Sequence, residues 1–247
     1  MKLFAGVLAL VCMYDTASAQ RWFITQNRPR ERVVGLLDLR DVTTDYAEKG
    51  CEGLSKQSIN AQLYSDPSKA GAPIGAVYMR QHPENGCGLL FKRAGSSLEE
   101  GLPSEESGYE MPASVVYERR GRWFRIAVPQ GSAWIERANA EDFLPYPQLL
   151  TRRMAYLKND WDGQLRQTAG VGFPTEPLPV EWKEHVPKQI TIEVLGMTRV
   201  GNDDWIHVQF TTEGCDETLK MLKPVQGWLP AYRSDGTTAA WFYSRGC

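Results

Sequence analysis

GRWFRIAVPQGSAWIE, residues 121–136, reads as a strand, a tight turn and a second strand. Alternation puts Phe124, Ile126 and Val128 on one face, and Trp123, Arg125 and Ala127 on the other; the first set is the expected core. Extended backwards to ASVVYERRGRWFRIAV, residues 113–128, the stretch becomes a hairpin whose turn is Arg120-Gly121. Val116 and Ile126 lie in β-branched and aromatic runs that suit a pleated, half-buried surface. Gly131 then turns the chain into Ala133-Trp134-Ile135-Glu136. A weaker copy follows, as DDWIHVQF at 203–210 and QGWLPAY at 226–232.

On either side of this ribbon the pattern is again short strands and turns. VVGLLDLRDV at 33–42 is the expected first strand, and INAQLYSDPSKAGAPIGAVYMR at 59–80 is strand, Pro/Gly loop, strand. CGLLFKR at 87–93 is a further strand. Residues 95–109 carry Glu99, Glu100, Glu105 and Glu106 among Ser and Gly, which predicts a solvated surface loop in preference to an acidic binding loop. ANAEDFLP at 138–145 suits a single helical turn, and LLTRRMAYL at 149–157 a short helix. Asp162-Gly163 signals a hairpin turn, and Pro174, Pro177, Pro179 and Pro187 mark a connecting segment. Strands return from Lys188, with Ile190, Ile192 and Val194 alternating against Thr191 and Glu193. There is no sustained heptad pattern and no strand–helix–strand alternation, so the expected fold is mainly antiparallel β.

The first residues read as a secretory signal. Lys2 supplies the positive start, Leu3–Met13 an apolar run too short to span a bilayer, and Ala17-Ser18-Ala19 a cleavage site, so Gln20 is the expected mature start. The protein is therefore expected to be exported, periplasmic or held at the cell envelope. A formal charge of -2 argues against general affinity for nucleic acid or an anionic membrane, and no other stretch predicts membrane insertion. Four cysteines follow the cleavage site: Cys51, Cys87, Cys215 and Cys247. Their even count in an oxidising compartment reads as disulfides, and their clustering favours Cys51–Cys87 and Cys215–Cys247 among three possible pairings. Each closed loop is worth roughly 3–4 kcal/mol on the chain-entropy model. Metal binding is the weaker reading, because no C-x-x-C or Cys/His cluster is present.

The stretches IEVLGMTRVGNDDWIHV and GWLPAY resemble a bacterial SH3-like domain: an apolar strand, a Gly-containing turn, Trp-apolar-polar-β-branched, then Gly-Trp-apolar. Trp205-Ile206-His207-Val208 and Gly227-Trp228-Leu229 fit that pattern, as do VVYERRGRWFRI and Ala133-Trp134-Ile135 in the earlier copy. AQLYSDPSKAGAPIG resembles the family's opening. The match covers about 110–137 and 188–232 well and 59–78 in part; the inserts at 95–109 and 214–222 depart from it. The resemblance implies two tandem small SH3-like barrels with extra strands and a connecting segment. The expected division is a signal at 1–19, an N-terminal domain at 20–148, a connector at 149–187 and a C-terminal domain at 188–247. It also implies a non-catalytic role, since exported members of the family often bind cell-wall peptide or another protein.

The aromatics are the candidate ligand-binding constellation. Tyr117, Trp123, Trp134, Trp205, Trp228 and Tyr232, with Arg125 and His207 between them, can line shallow grooves suited to sugar faces or Pro-rich peptide. The competing reading buries each ring in a core or an interface. Parity favours Trp123 and Trp205 as binding rings, since both lie opposite their core neighbours. Arg119, Arg120, Arg122 and Arg125 either hold an anion or, as favoured, face water or pair with the Glu-rich stretch. His82, His185 and His207 are far apart in sequence and sit in no catalytic motif, and no phosphate loop or dinucleotide fingerprint occurs, so no cofactor is implied. The expected function is a non-catalytic binding module for a peptidoglycan fragment or an envelope protein. The alternatives are a cryptic envelope hydrolase, or an assembly subunit whose aromatics are all buried.

Overall fold

The computed structural model describes residues 31–39, 61–82, 86–108, 111–151, 153–158, 161, 164–170, 175–177, 179, 190–210 and 223–244. Strands make up 59% of these residues and helices 5%, so the chain is mainly β. The strands form two curled antiparallel sheets.

The first sheet holds β1 (Gly35–Asp38), β2 (Ala61–Tyr64), β3 (Gly75–His82), β4 (Gly86–Arg93), β5 (Glu99–Gly101), β6 (Ser104–Gly108), β7 (Met111–Arg120), β8 (Trp123–Val128), β9 (Gly131–Glu136) and β10 (Phe143–Pro145). Its order is β10-β1-β7-β8-β9-β2-β3-β4-β5, with β6 beside β7. The pairings return on themselves, because β5 lies beside β4, β6 lies beside β7, and only Leu102 and Pro103 separate β5 from β6. The second sheet holds β11 (Met154–Leu157), β12 (Gln164–Arg166), β13 (Thr175–Pro177), β14 (Thr191–Val200), β15 (Asp203–Phe210), β16 (Gln226–Pro230) and β17 (Ala240–Phe242), in the order β13-β12-β16-β15-β14-β11-β17.

A five-strand path recurs. β10-β1-β7-β8-β9 in the first sheet and β17-β11-β14-β15-β16 in the second run through the fifth, first, second, third and fourth strand of each copy. The registers agree in detail. Val116 pairs with Ile126, and after a shift Glu118 pairs with Arg125; Val194 pairs with Val208, and after a shift Gly196 pairs with His207. One extra residue, Tyr117 or Leu195, therefore sits at the same bulge in both copies. Gly121 (φ 59°) and Gly201 (φ 62°) open the two hairpin turns in the left-handed region, where a side chain would be strained.

Alternation explains the core. Leu37, Val116, Phe124, Ile126, Val128, Ile135 and Phe143 point into the curl of the first sheet. Their register counterparts Ala155, Val194, Ile206, Val208, Phe210, Leu229 and Phe242 sit in the core of the second. The faces part as the 121–136 alternation predicts, but Ala127 on the opposite face is also buried. Leu36, Ala113, Val115, Tyr117 and Ala127 join the second sheet's cluster, so β7 loses its exposed face over 112–117. The two sheets share one continuous apolar seam, completed by α1 (Tyr146–Leu150), whose Tyr146, Leu149 and Leu150 are buried.

Three stretches differ from expectation. The Glu-rich stretch 95–109 contributes β5 and β6, because ladder hydrogen bonds to β4 and β7 satisfy its backbone, and β6 is partly buried, with Ser107 in the interior and burial pushing the Glu105 carboxyl above its ordinary value. In LLTRRMAYL the helix ends at Leu150, and Met154–Leu157 is a strand held between β14 and β17. Residues 149–187, expected as a connector, supply β11, β12 and β13 to the second sheet. The 138–145 turn does form, as a single 3-10 turn at Ala140–Asp142 capped by the Asn139 side chain.

Candidate functional site

Opposite each apolar interior lies an outer face, and the third and fourth strands of each copy set matching residues on it. In the first sheet Trp123 registers with Glu136 and Arg125 with Trp134; in the second Trp205 registers with Pro230 and His207 with Trp228. Arg125 and His207 are thus the same position, each opposite a tryptophan, with Glu118 or Gly196 beside it on the second strand.

On the first sheet this position is filled by the chain itself. The Arg125 guanidinium donates to Glu31, to Glu118 (3.2 Å) and to the Ser132 hydroxyl (3.1 Å). Arg120 donates to Glu118 at 2.6 Å and lies over the Trp134 ring at 5.1 Å, which leaves that ring 5% exposed. The hydrogen bond from Arg120, with the charge of Arg125 adding to it, holds the Glu118 carboxyl below the usual carboxylate range. The hydrogen bond from Lys69, with the charge of Arg122 adding to it, does the same for Glu136. Arg119 lies over Phe124 and Phe143. Arg120, Arg122 and Arg125 of the basic cluster therefore pair with Glu31, Glu118 and Glu136. Trp123 remains half-buried, packed edge-on against Tyr64 at 5.6 Å.

On the second sheet the same position is open. The His207 imidazole stacks on the Trp228 indole, with ring centroids 4.8 Å apart and planes 11° from parallel, and both side chains are half-buried. Burial lowers the His207 pKa, so the ring is neutral at pH 7. At Gly196, its partner on β14, a Cβ would meet no atom within 4 Å, and Leu195 at the bulge is 42% exposed. Gln209 and Gln226 extend the face, hydrogen-bonded across β15 and β16. On β12, Arg166 registers with Trp228 and places its guanidinium 5.5 Å from the Trp205 ring.

Trp205 lies on the outer face, as parity predicts, yet it is only 1% exposed. Alternation along β15 cannot see Arg166, which arrives from β12 and covers the ring. The Trp205 indole N–H is buried without a hydrogen-bond partner among the described residues. Tyr117 and Tyr232 lie in the seam between the sheets. Tyr117 is buried there beneath Arg125. Tyr232 donates to the Val33 carbonyl at 2.8 Å, packs 5.4 Å from Tyr146 and lies beneath Arg32. Burial pushes the Tyr232 hydroxyl up to about 12, and burial also pushes Tyr146 far above its ordinary value.

The structure thus brings His207 and Trp228 together on one face and Arg125, Trp123 and Trp134 together on another, with Tyr117 beneath Arg125 at the edge of the second and Tyr232 apart in the seam. Sequence reading passed over Glu31, Glu118, Arg166, Leu195 and Gly196. Gly196 did leave a signal, a lone glycine inside an alternating strand, which marks a bulge or a close approach. Cys51, Cys215 and Cys247 lie outside the described residues, as do His185 and the side chains of Cys87 and His82. Among the described residues no group of three His, Cys, Asp or Glu side chains is placed to hold a metal ion, and no helix is long and apolar enough to cross a membrane. No protein-family model, curated protein or solved structure matches the chain.

Proposed function

We propose that the chain is a non-catalytic exported binding protein, built on two tandem SH3-like barrels, that recognises a cell-wall fragment or an envelope protein on the outer face of its second sheet. The observation that carries the reading is the His207–Trp228 stack beside open space at Gly196. A flat indole backing a neutral imidazole, with an exposed leucine alongside, offers apolar area and one hydrogen-bonding edge on a rigid pair of strands. The tandem-barrel reading is supported by the recurrent five-strand path and by matching bulges. Export is supported by the Lys2, Leu3–Met13 and Ala17-Ser18-Ala19 pattern alone.

Retention of the purified chain on sacculi, run beside an envelope-extract bait, tests the function. Binding to one bait that is lost in Trp228→Ala is the expected result, and no retention on either bait rejects it. A second reading, an assembly subunit with its rings buried, draws on the burial of Trp134, Trp205 and Trp241. Iodide quenching separates the two, since Trp123 and Trp228 quench only if their faces stay open in the assembled protein.

A further inference from the structure

We infer that the outer face of the second sheet, at Leu195, Gly196, His207 and Trp228, receives a carboxylate-bearing peptide segment of a partner protein, seated as Glu31 is seated on the first sheet. The inference rests on the binding-protein reading and names the ligand chemistry of that same site.

The first sheet shows what this position of the fold holds. Arg125, opposite Trp134, takes one carboxylate from its neighbouring strand, Glu118, and a second from a segment lying outside the five-strand path, Glu31. Glu31 is delivered by an extended stretch clamped by its own backbone and side chains. Val34 donates to the Val116 carbonyl at 2.8 Å, the Val33 carbonyl accepts from Tyr232, and Arg32 reaches the turn at Asn202 and Asp203.

Among the described residues, the second sheet keeps the geometry and lacks both carboxylates. His207 replaces Arg125 opposite Trp228, and Gly196 replaces Glu118. What remains is a donor-bearing ring on an aromatic backing, facing space that a side chain does not fill. Leu195 occupies the bulge position of Tyr117. Tyr117 is buried by the second sheet, whereas Leu195 is exposed, which gives an apolar residue beside the incoming carboxylate something to cover. Among the described residues, the charged groups around His207 are Arg166 on β12, Glu193 opposite Gln209 on β14, and the Arg199–Asp204 pair further along the hairpin. Burial alone accounts for the lowered His207 pKa. A bound carboxylate reverses that effect by stabilising the imidazolium, in a charge-assisted hydrogen bond stronger than a neutral one. Affinity therefore rises as pH falls from neutral toward 5.5, where a glutamate carboxylate, with a pKa of about 4.3, is still ionised.

The test titrates the full chain, with its histidine rings isotopically labelled, with acetyl-Leu-Glu-Leu-amide and with acetyl-Leu-Gln-Leu-amide at pH 7.5 and pH 5.5. The His207 resonance is assigned by its loss in His207→Gln. The expected result is binding of the glutamate peptide about tenfold tighter than the glutamine peptide at pH 5.5, one charge-assisted hydrogen bond's worth, with a smaller preference at pH 7.5. Gly196→Glu, which restores the first sheet's carboxylate at a site with room for it, abolishes the preference and raises the His207 pKa; Gly196→Gln does not raise it. Equal binding of the two peptides, or an unchanged preference in Gly196→Glu, overturns the inference. If the chain is still retained on a bait through Trp228, the broader binding reading survives that failure; if nothing is retained, both fall.

Discussion

Arg125 on the first sheet and His207 on the second occupy the same place in the same ladder, opposite Trp134 and Trp228, yet one is saturated and the other open. Around Arg125 the chain has gathered Glu31, Glu118 and Ser132, with Arg120 laid over the tryptophan. Around His207 it has placed glycine, glutamines and an exposed leucine. The strand geometry does not distinguish the two faces, so what separates them is a few substitutions on a repeated frame. The first face also shows how such a site is filled internally: Lys69, Arg120, Arg122 and Arg125 are tied in ion pairs with Glu31, Glu118 and Glu136.

The sharpest way to break the comparison is through the two cores. Phe124→Ala and its counterpart Ile206→Ala each remove a fully buried side chain, and each is expected to cost roughly 2–5 kcal/mol. Because the sheets share one seam through Tyr117, Ala127 and α1, both variants should lower a single cooperative denaturant transition. Two separated transitions, with each variant moving only one, would make the copies independent modules.

Next in size is the alkaline limit. The Tyr146 and Tyr232 hydroxyls have folded pKa values above their ordinary value, Tyr232 at about 12. The unfolded chain loses these protons near pH 10 while the folded chain keeps them, so the stability tied to them is complete below about pH 10 and falls as pH rises beyond it. Tyr146→Phe should flatten that fall. It should also cost about 1–2 kcal/mol at neutral pH by leaving the Ala240 carbonyl without its 2.9 Å hydrogen bond. Denaturant midpoints from pH 7 to pH 11 check both outcomes, and a parallel fall in wild type and variant counts against the seam as the alkaline weak point.

Smaller is the strap. Glu31→Gln removes a pair whose side chains are 22% and 24% exposed, with an expected loss of about 1 kcal/mol or less that shrinks in high salt. Smallest is His207→Gln, at an outer-face position in a neutral stack, expected to shift stability by under about 0.5 kcal/mol. A larger loss at His207 than at Glu31 would reverse the assignment of which face is structural and which is held open for a ligand. Outside both faces, alkylation of unreduced protein followed by intact-mass measurement should find Cys51, Cys87, Cys215 and Cys247 unmodified; two or more alkylated thiols would refute the expected disulfides.

The duplicated ribbon was legible because alternation is local. Phe124, Ile126 and Val128 announce one face wherever the strand is placed, and Trp205-Ile206-His207-Val208 repeats the arrangement. The single turn within 138–145 was legible for the same reason, though not its Asn139 cap. Illegible were the contacts made across long sequence separation. Nothing near Trp205 says that Arg166 will cover it, and nothing near Arg125 says that Glu31 will reach it. The Glu-rich stretch misled because its composition describes its side chains, while its backbone became β5 and β6 through hydrogen bonds to partners the composition does not name.

Sequence alone settled the mainly antiparallel β class, the recurrence of the Trp-bearing ribbon and the inward face of residues 121–136, since each follows from a two-residue period and from turn chemistry within a few neighbours. Tertiary structure alone decided which outer face is used up and which stays open. That outcome depends on where β12, the 31–34 segment and the seam between the sheets come to lie, and a side chain's exposure is a property of what packs over it rather than of the strand that carries it.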